Sequence, residues 1–472
     1  MDRRTFLKSA GIIAGAMYAD LPTLAQNMSR STGPVRLRIG ILSDTHIDHQ
    51  PSLDDLLNAL RYFRDRHADG ILIAGDITDL GFVSQMKMVA DAWYEVFPHD
   101  KLPDGEHIEK LFIYGNHDVE FDYFEDGTPQ EVRQREGIRY NRAKHWKRFF
   151  HEKYEPVYMK TVKGYRFIGA HWDDRQHVTG VPEFLEAHRN ELQGDKPFFY
   201  FQHAHPKDTT YGEWAWGQDN GESTHALSRF PNAVAFSGHS HMPLDNERAL
   251  WQGSFTSIGT ASLRYMLPLG ARENSYVDGS DEEVPSQMKI MDVYAGRQGM
   301  LMEVFDDSIS LERIDFVHNE PIADPWIIPL PVNGSPLSFE RREQTAKAPE
   351  FPKDSKVEVS FIPDGEDRYG VRQPQVRVSF PTVLKKTTGQ RAIDYEVQLE
   401  QQYVDVVSVL QTKRVYSPGC FFSENYDEEP VVCLFSQHDL PQNRSWRFTV
   451  RPCESFGHKG RPIYSAWQKP KE

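Results

Sequence analysis

From Val35 onward the apolar residues keep two rhythms. Val35 to Ser43 is a β-rich run, after which Leu53, Leu56, Leu57, Leu60 and Phe63 recur at the spacing of one helix face. Ser52, with Asp55 three residues on, is placed to cap that helix. Further apolar runs follow at Ile71 to Ala74, Leu111 to Tyr114, Tyr165 to Ala170, Phe198 to Phe201 and Ala233 to Phe236. Runs this short predict buried strands. Polar loops and amphipathic stretches separate them, and strands alternating with helices predict a layered α/β domain with helix-covered sheets, over residues 35–332.

The rhythm changes near residue 330. Pro329, Pro331, Gly334 and Pro336 punctuate the chain, and residues 340–354 are charged with no sustained apolar period, which predicts an exposed linker over 333–354. Beyond it the period is two: Val357-Val359-Phe361, Val376-Val378-Phe380, Tyr395-Val397-Leu399 and Trp446-Phe448-Val450. Short alternating strands of this kind predict an all-β sandwich over residues 355–472. Within it, Asp439 to Arg451 followed by Gly457 resembles the last hairpin of fibronectin type III domains.

Charge narrows the functions. The 472-residue chain carries 54 Lys and Arg against 69 Asp and Glu, a net charge of −15. Such a surface repels a phosphate backbone, so no nucleic-acid partner is expected. A small phosphorylated substrate remains compatible where metal ions supply local positive charge. No apolar run reaches the ~20 residues of a membrane span, so an integral membrane protein is not expected. Cys420, Cys433 and Cys453 lack zinc spacing and predict buried thiols, with at most one disulfide.

The first residues have a separate character. Asp2-Arg3-Arg4-Thr5-Phe6-Leu7-Lys8 precedes a mildly apolar stretch, Ala10 to Tyr18, and Thr23-Leu24-Ala25 supplies small residues for cleavage. Residues 1–25 thus resemble a twin-arginine signal peptide. The resemblance implies the twin-arginine export machinery as a partner and a periplasmic or secreted destination for a protein that takes up metal before export.

Five short motifs stand where the apolar runs end: Asp44-Thr45-His46, Gly75-Asp76-Ile77-Thr78-Asp79, Gly115-Asn116-His117-Asp118, Gln202-His203-Ala204-His205 and Gly238-His239-Ser240-His241. A shared sheet edge would gather their carboxylates, amide and imidazoles into one cleft, where open α/β sheets bind ligands. Imidazole and carboxylate without thiolate suit Mn, Fe or Zn. Glycine ahead of Asp76, Asn116 and His239 lets the backbone turn sharply off each strand.

In this order the motifs resemble the calcineurin-like metallophosphoesterase family, whose pattern is D-x-H, G-D, G-N-H-D/E, H and G-H-x-H. The resemblance spans about residues 35 to 330. It implies a four-layered αββα sandwich ahead of the C-terminal β-sandwich, and two divalent or trivalent metal ions (Mn, Fe or Zn). Carried over residue by residue, Asp44, His46 and His241 bind one metal, Asn116, His203 and His239 bind the other, and Asp76 bridges them. The implied reaction is hydrolysis of a phosphate ester by attack of a metal-bound hydroxide, as a phosphodiesterase or a broad phosphatase. His117 would bind a phosphate oxygen or protonate the leaving alkoxide, and Asp118 would orient that ring and favour its charge. The histidine of D-x-H resembles the phosphodiesterase-like branch more than the purple acid phosphatases, which also place tyrosine where Asp79 stands.

Several positions carry two readings. Asp79 is either a partner holding a ligand histidine or an acid at a helix N-terminus. His205 competes with His203, although strand phase and the family pattern favour His203. His171 either lines the cleft beside Trp172 or is a satisfied loop histidine. Arg133, Arg135, Arg139 and Arg142, the aromatic loop Tyr211 to Trp216, and Arg264 with Tyr265 are candidates for the leaving-group side, against solvated-face or packing roles. The rival function is an exported binding or adhesion protein with a metal-binding but non-catalytic α/β domain. Its sandwich would bind glycan, cell wall or the catalytic domain, or act as a spacer.

Overall fold

The computed structural model describes residues 33–119, 142–173, 178–268, 270, 272–275, 290–332, 334–366, 371–383, 391–420 and 430–469. The candidate signal peptide, and Arg133, Arg135 and Arg139, lie outside the described residues. Strands β1 (Leu37–Leu42), β2 (Gly70–Ala74) and β3 (Glu109–Ile113) pair in parallel, joined through helices α1 (Gln50–Asp65) and α2 (Val83–Val96). Helix α1 begins two residues before the expected cap. Pro51 tolerates the first turn because no N–H is needed there, and Ser52 Oγ instead accepts from the His49 and Asp48 N–H groups.

The chain then builds a second sheet. Strands β4 (Val157–Val162), β5 (Tyr165–Ala170), β6 (Phe198–Phe201), β7 (Ala233–Ser237), β8 (Leu250–Gln252) and β9 (Thr256–Gly259) lie in the order β4-β5-β6-β7-β9-β8, with β5, β6, β7 and β9 parallel. Strands β10 (Gln298–Val304), β11 (Ser308–Asp315), β12 (Glu320–Pro321) and β13 (Trp326–Pro329) return to the first sheet, where β10 runs antiparallel beside β1.

Side chains alternate across each strand, and the cores follow. Leu72 and Ala74 of β2, Leu111 and Ile113 of β3, Phe199 and Phe201 of β6, and Val234 and Phe236 of β7 share one core. The opposite faces diverge: Ile71, Ile73 and Phe112 pack on Leu56, Leu60 and Phe63 of α1 and Trp93 of α2. Phe198, Tyr200 and Ala235 pack on Val181 and Leu185 of α3 (Val181–Ala187) and on Ala226 and Leu227 of α4 (Glu222–Leu227).

C-terminally, two antiparallel sheets share a further core. One pairs β14 (Glu358–Glu366), β15 (Arg372–Phe380) and β18 (Val431–Ser436); the other orders β17 (Val406–Tyr416), β16 (Asp394–Tyr403), β19 (Ser445–Cys453) and β20 (Ile463–Tyr464). The three cysteines are free and buried. The segment expected to be an exposed linker is docked: helix α5 (Phe339–Thr345) places Arg342 against Glu247. Asp245 pairs with Arg391, Arg272 with Asp394, and Asn274 with the Tyr416 backbone, while Tyr416 itself enters the α/β core. Among the described residues no helix is long and apolar enough to cross a membrane.

Candidate metal centre

Because β1, β2 and β3, and likewise β6 and β7, run parallel, the five motifs emerge at the carboxyl ends of their strands. Backbone bonds tie the first two loops together: Asp44 N donates to Gly75 O and His46 N to Asp76 O, each at 3.0 Å. Asp44, His46, Asp76, His239 and His241 all have positive φ, from 39° to 65°. Each such residue costs ~1–3 kcal/mol of strain, which persists where surrounding structure imposes it and clusters at functional sites. The glycines ahead of them act mainly by making room. Gly75 has φ 90°, but at Gly238 the φ is not positive, and a Cβ there would collide with Asp44 Oδ2.

The imidazoles share one orientation. His203 Nδ1 lies 2.8 Å from Ala74 O, His241 Nδ1 2.9 Å from Tyr265 O and His46 Nδ1 3.1 Å from Asp79 Oδ1. These partners only accept, so each Nδ1 carries the proton and each Nε2 turns inward as a lone pair when the ring is neutral. Those inward atoms meet other acceptors. His203 Nε2 stands 3.0 Å from both Asp76 Oδ2 and Asn116 Oδ1, His241 Nε2 stands 2.9 Å from Asp44 Oδ1, and the Nε2 atoms of His46 and His241 are 3.3 Å apart. Asp76 Oδ2 is buried, receives no well-aligned hydrogen bond, and lies 3.7 Å from His46 Nε2.

Lone pairs facing lone pairs in a buried space call for a cation. Burial opposes charge on His203, yet the Asp76 and Asp44 carboxylates raise its pKa to about 9, so a proton can occupy the gap. Burial also opposes charge on Asp76, but the neighbouring imidazoles, His203 foremost, hold its pKa well below the carboxylate range. His239 is pushed down to about 3 by burial and by the His203 charge. Ligand atoms of Asp44, His46, Asp76 and His241 lie within 4.8 Å of one another, as do those of Asp76, His203 and His239. Two groups of imidazole and carboxylate donors sharing Asp76 suit two metal ions.

The ambiguous residues separate. His203 sits in the cluster, while His205 lies outside it with both ring nitrogens buried and without hydrogen-bond partners, its pKa pushed down to about 3 by burial. Asp79 holds His46, and its backbone carbonyl accepts from His117 Nδ1 at 2.8 Å. The expectation that Asp118 orients the His117 ring is corrected here. Asp118 accepts instead from Ile77 N, Thr78 N, Thr78 Oγ1 and Gly115 N, locking the loops after β2 and β3 together. Burial and the Asp76 charge raise its pKa to about 6 against the Thr78 and Gly115 donors. His171 is buried and its Nδ1 accepts from Tyr114 N, so its neighbour Trp172 supplies the ring beside His203 and His239. Trp216 stacks on His239, and the Tyr265 ring lies tilted against His241. Tyr294, beside Tyr265, carried no signal in the sequence.

No curated protein matches the chain. Among solved structures, a dimetal phosphatase from Danio rerio is 10% identical with a TM-score of 0.37, covering 63% of this chain and 99% of its own. The anchor in the inner membrane complex of Plasmodium is 11% identical, with a TM-score of 0.38 and coverages of 66% and 93%. A purple acid phosphatase from yellow lupin seeds is 14% identical, with a TM-score of 0.35 and coverages of 65% and 56%. The roles in those names belong to those proteins. Residues 37–243, which hold all five motifs, match the model of the calcineurin-like phosphoesterase family.

Proposed function

We propose that the protein is a dinuclear-metal hydrolase of phosphate esters, with Asp44, His46 and His241 holding one ion, Asn116, His203 and His239 the other, and Asp76 between them. The observation that carries this reading is the set of inward Nε2 atoms set against buried carboxylate oxygens. Two ions there would polarise a phosphoryl oxygen and lower the pKa of a water. His117 keeps Nδ1–H on the Asp79 carbonyl, so Nε2 is the atom that passes a proton to the departing alkoxide or, protonated, pairs with a phosphate oxygen. Asp79 fixes the His46 ring from behind, and Asp118 acts as a positioning residue beneath both loops.

The shared core between two sheets, with helices on both outer faces, supports a four-layered αββα sandwich. The three- and four-stranded C-terminal sheets support a fibronectin type III-like domain. The paired arginines Arg3 and Arg4 support twin-arginine export to the periplasm or beyond. The test of the activity is hydrolysis of p-nitrophenyl phosphate and bis(p-nitrophenyl) phosphate by protein loaded with Mn, Fe or Zn. Turnover is expected with metal, to be lost on chelation and strongly reduced in His117→Asn. Absence of turnover on both esters with two ions bound would overturn the reading.

A further inference from the structure

The cluster is flanked by aromatic rings on two sides. Beside His239 the Trp216 indole stacks at 4.9 Å between centroids and 24° between planes, yet the residue remains 56% exposed. Beside His241 the Tyr265 ring lies at 4.1 Å and passes contact to Tyr294 at 5.6 Å. Tyr294 is 47% exposed, with the Arg264 guanidinium 5.1 Å above its ring.

Local packing does not account for Trp216. Within its loop, Tyr211 and Ala215 are the residues that enter the core. The loop is also held in place, since His205 N donates to Gly217 O and Asp219 N to His205 O, two residues beyond His203. A large ring fixed at the mouth of a metal-binding cleft, one face on a cluster histidine and much of its surface in water, is a preformed stacking platform.

We propose that the cleft selects phosphate esters whose alcohol carries a flat aromatic group, such as the base of a nucleoside, stacked on the outer face of Trp216. The inference rests on the phosphoesterase reading and deepens it. With the phosphate among the cluster residues, the ester substituent leaves past His239, where the indole meets it. Tyr294 and Arg264 stand beside Tyr265 on the His241 side of the cluster.

Adenosine 5′-monophosphate and ribose 5-phosphate test this, because they present the same primary ester bond with and without a base. Stacking on an aromatic side chain is worth on the order of tenfold to a hundredfold. The metal-loaded protein is expected to show a kcat/KM ratio of about tenfold or more in favour of the nucleotide. That ratio falls towards one in Trp216→Ala and survives in Trp216→Phe. A ratio near one in the wild type, or an unchanged ratio in Trp216→Ala, overturns the proposal. Should neither monoester turn over, the p-nitrophenyl mono- and diester assay decides the hydrolase reading separately, and adenosine quenching of tryptophan fluorescence decides the stacking. Quenching lost in Trp216→Ala supports it, and equal or absent quenching in both proteins overturns it.

Discussion

The two halves of the cluster are held by different parts of the molecule. His203 is fixed from within, its Nδ1 on the carbonyl of Ala74, the last residue of β2, and the preceding Gln202 N on Phe236 O of β7. His46 and His241 are fixed from the rim, by the partly exposed Asp79 carboxylate and by the Tyr265 carbonyl in the loop beyond β9. That loop is tied back through Leu267 N to His241 O and runs on to Gly270 and Asn274, which dock on Tyr416 of β17. One half is therefore set by sheet hydrogen bonding, the other by rim loops, of which the one behind His241 is braced against the C-terminal sheets. Histidine ligands are only as precise as the partners on their far nitrogens, so the two halves should respond differently to change.

The largest effect is expected where the halves meet. Asp76 Oδ2 is 3.0 Å from His203 Nε2 and 3.7 Å from His46 Nε2. Asp76→Asn removes the charge both halves share. Loss of both ions and a rate fall of about a thousandfold or more are expected, since metal charge stabilisation is worth several kcal/mol. Metal content per chain beside ester turnover checks it. Retention of one ion at full occupancy would show that the halves assemble independently.

How far this division was legible in the sequence depends on the kind of contact. The five motifs stand out because parallel strands end abruptly in short loops, so chemistry-bearing residues follow apolar runs directly. Strand β10, beside β1, is harder to read because it is buried on both faces and carries polar residues satisfied only in the fold. Glu303 there pairs with Arg38, and Gln298 bonds Leu244 N and Asp245. The Asp118 assignment failed for a related reason. Adjacency to His117 suggested a contact, whereas the nearest donors come from the loop after β2, far away along the chain. The brace on His241 is also tertiary, linking Tyr265 to β17 across about 150 residues, and no local spacing announces it.

Asp118 sharpens the comparison from below, since it joins the loop bearing Asp76 to the loop bearing Asn116. In Asp118→Asn one oxygen is replaced by an NH2 that faces backbone N–H donors. A buried donor left without an acceptor costs about 1–3 kcal/mol, so the metal-free protein is expected to unfold at lower urea, with both ions binding more weakly to a similar degree. Lost turnover with unchanged urea midpoint and unchanged metal affinity would return Asp118 to a role on the His117 ring.

The smallest and most discriminating effect belongs to the brace. Asn274 is buried; its Oδ1 accepts from Tyr416 N at 2.8 Å and its Nδ2 donates to Tyr416 O at 3.2 Å. Asn274→Leu keeps the bulk and removes both bonds, releasing the loop that carries Tyr265 while leaving β2 and β7 untouched. Changing a partner behind a ligand costs about tenfold to a hundredfold in metal affinity, and one step further out the lower value is expected. Competition with a graded series of chelators should then show one ion leaving about tenfold more readily and the other holding at its wild-type affinity. Asn274→Gln, which keeps an amide, should recover part of the loss. Equal weakening of both ions would mean that the C-terminal sheets support the whole domain rather than the rim half, and no weakening would mean that β9 and its loop hold His241 unaided.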